Sequence, residues 1–181
     1  MLFWIIYIIF LVSQGFIAYR FIHMGNMLYL KAILASNTLF ALYVIAEAIF
    51  KINVPPLLRI LVIGVLFVQN YFGYFKDRFI HSKVFDRYLH IFGTTVFTLF
   101  LYNILILLVH PYMYPKIIEA VFVFTFGIAV GALFEVFEFS GDQLMHESVK
   151  MQKGLKDTNV DLICNSLGSL IAAIIAYSFI L

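Results

Sequence analysis

Six apolar runs follow one another along this chain with only short polar breaks between them, and each is about the 20 residues that a helix needs to cross a bilayer. Composition supports that reading. Hydrophobic residues make up 64% of the 181 positions and charged residues 12%, against about 45–50% and about 25% in an ordinary soluble domain. So few charges cannot coat a water-facing surface, which excludes a soluble globular fold. The expectation is an all-α, polytopic membrane protein. Six transmembrane helices form a single transmembrane domain over residues 1–181, with spans at about 2–19, 27–50, 57–75, 88–109, 116–139 and 157–181.

The breaks have local causes. Arg20 and His23 close the first run, which has no basic residue before it and no small-residue cleavage site. It therefore reads as a retained helix and not as a signal peptide. Asn53-Val54-Pro55-Pro56 ends the second run, because each proline ring removes a donor and disfavours helix in the residue before it. Lys76-Asp77-Arg78 through Asp86-Arg87 is the most charged loop, His110 to Pro115 holds two prolines, and Ser140 to Lys156 is a polar loop. Loops one, three and five carry nine Lys and Arg; loops two and four carry three. That bias puts the odd loops in the cytoplasm and both termini outside, N-out and C-out. A formal net charge of +2 argues against a nucleic-acid partner. The one cysteine, Cys164, excludes an internal disulfide and a cysteine-built metal site.

The polar residues of the second half share helix faces. On the fifth helix Gly127, Gly131, Glu135, Glu138 and Asp142 follow steps of three or four. On the sixth, Asp157, Asp161, Asn165, Gly168 and Ala172 do the same. On the fourth, Asp86, His90, Gly93 and Phe97 form a face with Thr94 at its edge. Small residues let membrane helices approach closely and polar ones hydrogen-bond across the contact, so the last three helices should pack through these stripes. Glu135 then sits roughly 6 Å inside the end of its helix, at 1.5 Å per residue. Adjacent carboxylates in a poorly solvated site cannot all stay ionised alone: either a proton is shared or a cation neutralises them. His90, Arg87 and Lys156 are the cations expected nearby.

Asp86-Arg87-Tyr88-Leu89-His90 resembles the Asp-Lys/Arg-x-x-His start of a span in VanZ-like membrane proteins. Glu135-Val136-Phe137-Glu138, then Gln152, Asp157-Thr158-Asn159-Val160-Asp161, Asn165 and Gly168 resemble that superfamily's second signature, closest to its YjdF-type branch. The resemblance covers about residues 86–172, and Lys156 stands where a Trp often precedes Asp-Thr. It implies an envelope-associated role in a bacterial cell membrane, linked in the family to tolerance of teicoplanin-type antibiotics.

Three functions remain open at this level. The first is an enzyme acting on a lipid or lipid-linked molecule. Glu135, Glu138, His90 and Asp161 would be its acid and base or the ligands of a divalent metal, with Asp86, Asn165 and Asp157 binding the ligand. The second is a proton-linked transporter of an amphipathic compound, which with six helices would favour a homo-oligomer. The third is a structural subunit whose stripes only join helices. Simpler roles stand beside these: Glu135 and Glu138 as an interfacial pair reaching to water, His90 as an interfacial histidine with Asp86 orienting it, Asp157 as a helix N-cap, and Asn165 as a helix–helix hydrogen bonder. Gly127 and Gly131 read as packing residues, His146-Glu147 as a solvated pair, and Glu47 and Lys51 as an i,i+4 ion pair.

Overall fold

Each polar break between the apolar runs becomes a turn, and the turn residues say why. The computed structural model describes residues 2–110, 115–145 and 151–179. His146, Glu147 and positions 111–114 of the fourth break lie outside the described residues, as do Ile180 and Leu181 at the end of the last expected span. Among the described residues the regular structure is helical throughout: α1 (Leu2–Met24), α2 (Met27–Phe50), α3 (Pro56–Phe67), α4 (Arg78–His81), α5 (Lys83–Val109), α6 (Lys116–Met145) and α7 (Leu155–Phe179). Six helical segments are long and apolar enough to cross a membrane; the short α4 is not among them. The chain divides into two units, Met1–Lys83 and Val84–Leu181.

In the first unit α1 ends at Gly25, whose φ of 71° suits a residue without a side chain. Asn26 then caps α2 by accepting from the Tyr29 N–H at 3.1 Å. At the other end of α2, Lys51 adopts a left-handed conformation (φ 53°) that turns the chain out of the helix. This overturns the expected Glu47–Lys51 pair. Glu47 is turned toward the returning chain instead, accepting from the Val54 N–H (3.1 Å) and from Arg59 Nη1 (3.1 Å). The Arg59 guanidinium lies 4.3 Å over the Phe3 ring, so one buried acid joins α1, α2 and α3.

The third span changes pitch. From Val68 to Phe75 it widens to a π-helix, with Lys76 N–H bonding five residues back to the Tyr71 carbonyl. Within it Asn70, fully buried, donates to Gln14 Oε1 at 2.8 Å, and Asn37 reaches the same oxygen at 3.4 Å.

The second unit is built of α5, α6 and α7, which meet through their small-and-polar stripes. A β-carbon on Gly131 would stand 2.5 Å from Asn165 Cβ, and one on Gly127 would stand 2.7 Å from Ser169 Oγ and 2.9 Å from Thr98 Oγ1. Gly168 rests against the Ile91 carbonyl and Thr94. Thr95 donates to the Gly168 carbonyl at 3.0 Å. The outward faces are apolar: Leu133, Val136, Phe137 and Phe139 of α6 are all more than half exposed, whereas Glu135 on the same helix is 5% exposed. Polar inside and apolar outside is the arrangement a lipid solvent favours.

Candidate functional site

Asn165 sets the geometry at the polar end of the second unit. Its Nδ2 donates to the Gly131 carbonyl (3.2 Å), so its Oδ1 faces the other way and accepts from Thr94 Oγ1 (2.7 Å) and His90 Nδ1 (3.1 Å). An acceptor at that position puts a proton on His90 Nδ1. Asn165 therefore does two jobs, joining α5, α6 and α7 and fixing the imidazole tautomer. Asp86, expected to orient the ring, lies 3.7 Å from Nε2, too far for a hydrogen bond.

His90 Nε2 thus faces two carboxylates, Asp86 Oδ1 at 3.7 Å and Asp161 Oδ1 at 4.0 Å. Glu135 Oε1 lies 3.7 Å from Nδ1 on the other edge of the ring. Both Glu135 carboxylate oxygens are buried and accept no hydrogen bond from the described residues. A bare Nε2 would point its lone pair at two anions, so a proton or a metal ion belongs between them.

Among the described residues one ammonium enters the cluster, and it is neither of the expected Arg87 and Lys156. Lys153 Nζ lies 3.0 Å from Asp86 Oδ2 and 4.0 Å from Asp157 Oδ2. Sequence reasoning had one signal for it, its i,i+4 spacing to Asp157. The expected N-cap role of Asp157 gives way as well: α7 begins two residues earlier, after Gly154 (φ 107°), which puts Asp157 inside the first turn. Asp142 closes the loop, its carboxylate accepting the N–H groups of Met151 (2.8 Å) and Gln152 (2.9 Å). Gln152 Nε2 in turn donates to the Glu135 carbonyl at 3.2 Å.

Two sets of three donors result. His90, Glu135 and Asp161 each offer an atom, all within 4.8 Å of one another; Asp86, Asp157 and Asp161 do the same. Ligands about 2.1 Å from an ion stand about 3–4 Å apart, so a small inward movement completes either set. Glu138, one turn beyond Glu135 and half-buried, belongs to neither set. Asp86, Glu135, Asp157 and Asp161 face only His90 and Lys153 among the described residues, so even a doubly protonated imidazole leaves the site short of positive charge. The donor chemistry, imidazole plus carboxylate, suits zinc, manganese or iron.

A polar line continues from here along α5, where Asp86, His90, Thr94, Thr98 and Tyr102 recur every four residues. At its far end Tyr102 donates to Glu119 Oε1 at 2.6 Å. The buried Thr98 Oγ1 and Asn103 Oδ1 have no hydrogen-bond partner among the described residues.

A family model described as "Predicted membrane protein (DUF2238)" matches residues 1–180. A protein of Thermotoga maritima, named "Uncharacterized protein", is 31% identical over 134 residues, covering 72% of this chain and 67% of that relative. No solved structure matches the chain. The chain belongs to the DUF2238 family of predicted membrane proteins.

Proposed function

We propose that the second unit is a membrane-embedded enzyme unit whose centre of His90, Glu135 and Asp161 binds one divalent cation and acts on a lipid or lipid-linked envelope component. The observation that carries this reading is Glu135, a carboxylate buried beside His90 whose oxygens accept no hydrogen bond within 3.5 Å from the described residues. A carboxylate is rarely buried unless it is paired or ligates a metal. His90, Glu135 and Asp161 would hold such an ion, which would supply activation of water near neutral pH. The chain's part is to hold it: Asn165 fixes the imidazole from the outer side, as is usual for metal-ligating histidines.

An open groove of about 440 Å3 lies between the end of α6 and the start of α7, lined by Phe139, Asp142, Gln152, Leu155 and Thr158. Exposed Phe139 and Leu155 give it an apolar lip while Gln152 connects it to Glu135, which suits a substrate with a polar head and a lipid tail. The excess of Lys and Arg in the odd loops favours the cytoplasmic leaflet of a bacterial cell membrane for this end. The likeness to VanZ-like and YjdF-type proteins supports an envelope role.

Metal analysis of the purified chain tests the centre. About one zinc, manganese or iron per chain is expected, lost in Glu135→Gln and kept in Glu138→Gln. Absence of metal after growth and refolding with each of these ions, with full function in Glu135→Gln, would remove the reading.

Proton-linked transport has one observation in its favour, the four-residue polar line from Asp86 to Tyr102 with Glu119 at its end. Reconstituted vesicles should then acidify under an imposed pH gradient, and Thr98→Val should slow them. If both properties are absent and the conservative acid-to-amide variants change only assembly, the stripes are helix glue.

A further inference from the structure

We propose that Asp161 is shared between two cation positions, and that the Lys153 ammonium holds the second until a divalent ion displaces it. This rests on the single-ion reading of the His90, Glu135 and Asp161 centre and adds to it a substrate class. Asp161 is the residue common to both three-donor sets, the second being completed by Asp86 and Asp157. Asp86, Asp157 and Asp161 sit on long helices and cannot move apart cheaply; Asp86 and Asp161 are buried.

Lys153 is differently placed. It precedes Gly154 in the segment between α6 and α7, and its side chain is 29% exposed. It can swing to water without moving a helix. Its ammonium, 3.0 Å from Asp86 and 4.0 Å from Asp157, marks where this site holds positive charge. The buried Glu135 carboxylate, which accepts no hydrogen bond from the described residues, is the second sign that the cluster is built for more cation than those residues supply.

Charge then decides what the site takes. One ion with Lys153 in place leaves the four carboxylates of Asp86, Glu135, Asp157 and Asp161 in excess, which repels an anion. Two divalent ions with Lys153 withdrawn neutralise all four. Ions in two-metal sites stand about 3.5–4 Å apart, a spacing that clamps two oxygens of one phosphoryl group. The ligand class is therefore a phosphate ester or anhydride, presented at headgroup depth.

The test is a Mn2+ titration of the full chain in detergent micelles, followed by electron paramagnetic resonance and by bound metal. Wild type should bind one ion tightly and a second more weakly, the second giving a spin-coupled spectrum. Lys153→Met should tighten the second step about two- to fivefold, the weight of a partly exposed ion pair. Asp157→Asn should lose the second ion and keep the first. Orthophosphate and, separately, phosphatidate in nanodiscs are then added to the two-ion form. A changed spectrum with orthophosphate points to a soluble phosphate, a change with phosphatidate alone points to a lipid headgroup, and either supports the ligand class. A change with neither overturns the ligand class. One Mn2+ per chain in both wild type and Lys153→Met at saturation overturns the second position while leaving the first. No Mn2+ at all overturns both.

Discussion

Replacing Gly131 by alanine tests the packing that brings the site together, independently of any chemistry. The added carbon would lie 2.5 Å from Asn165 Cβ and 2.9 Å from Asn165 Cγ, whereas carbons rest at about 3.5–4.0 Å. Asn165 Cβ is fixed to its backbone, so rotating the side chain brings no relief. α6 and α7 must separate by about 1 Å at this level, taking the best spacing from their contact. Overpacking of this kind costs about 1–3 kcal/mol, and a chain of this size loses about 2–4 °C of melting midpoint per kcal/mol. The expected drop is therefore about 2–12 °C in detergent micelles. Cys164, the chain's one cysteine, is buried next to Asn165, so a thiol-reactive dye reads the event directly. Gly64→Ala is the control: nothing lies within 4 Å of that position. There alanine should stabilise α3 by up to about 1 kcal/mol through its better helix propensity, read by circular dichroism. If Gly131→Ala melts at or above the wild-type temperature, the close approach of α6 and α7 is wrong, and with it the placement of Asn165.

Other expectations follow from buried groups. Arg59→Met removes the cation paired with the buried Glu47 and should cost about 3–5 kcal/mol, much of it recovered in the Glu47→Gln/Arg59→Met double variant; chemical denaturation of the four proteins checks this. Lys51→Gly should instead gain up to about 1 kcal/mol, because glycine adopts the left-handed turn at φ 53° without strain. Tyr102→Phe removes the 2.6 Å donor to Glu119 and should cost about 1.5–3 kcal/mol; an unchanged thermal midpoint would refute it. Glu135→Gln should raise the unfolding free energy by about 1–3 kcal/mol in chelator, since a buried carboxylate that accepts no hydrogen bond from the described residues is removed. The same variant should lose any stabilisation that added metal gives wild type.

The spans were legible because lipid imposes a length and an apolar composition that hydropathy reads directly. The run expected over residues 27–50 is α2 to the residue. Boundaries drifted where charge hid helix. Residues 83–87 look like loop, yet α5 already includes them, which is what lets Asp86 share a face with His90. Ser140, Gly141 and Asp142 likewise read as loop but continue α6. The stripes themselves were visible from spacing alone, since Gly131, Asn165, Gly168 and His90 meet partners that periodicity had put on facing sides. What could not be read was how distant polar groups pair. Lys153 reaches Asp86 across 67 positions, and Glu47 prefers Arg59 to Lys51 because a left-handed residue redirects the chain. Neither contact has a local signature, and the tautomer of His90 depends on which way an amide on another helix is turned.

The wide turns from Val68 to Phe75 carry a consequence for how the first unit tolerates change. Successive residues there advance less around the axis than in an ordinary helix, so the direction in which Asn70 points depends on residue count as much as residue type. Removing Val68 or Gln69 would turn Asn70 about the axis by one residue's step relative to the helix before it. The amide that meets Gln14 would then face lipid or a neighbour's flank, although every remaining side chain is unchanged. In this stretch a deletion should do more harm than most substitutions, because the register of the rod, and not the identity of its parts, delivers the contact.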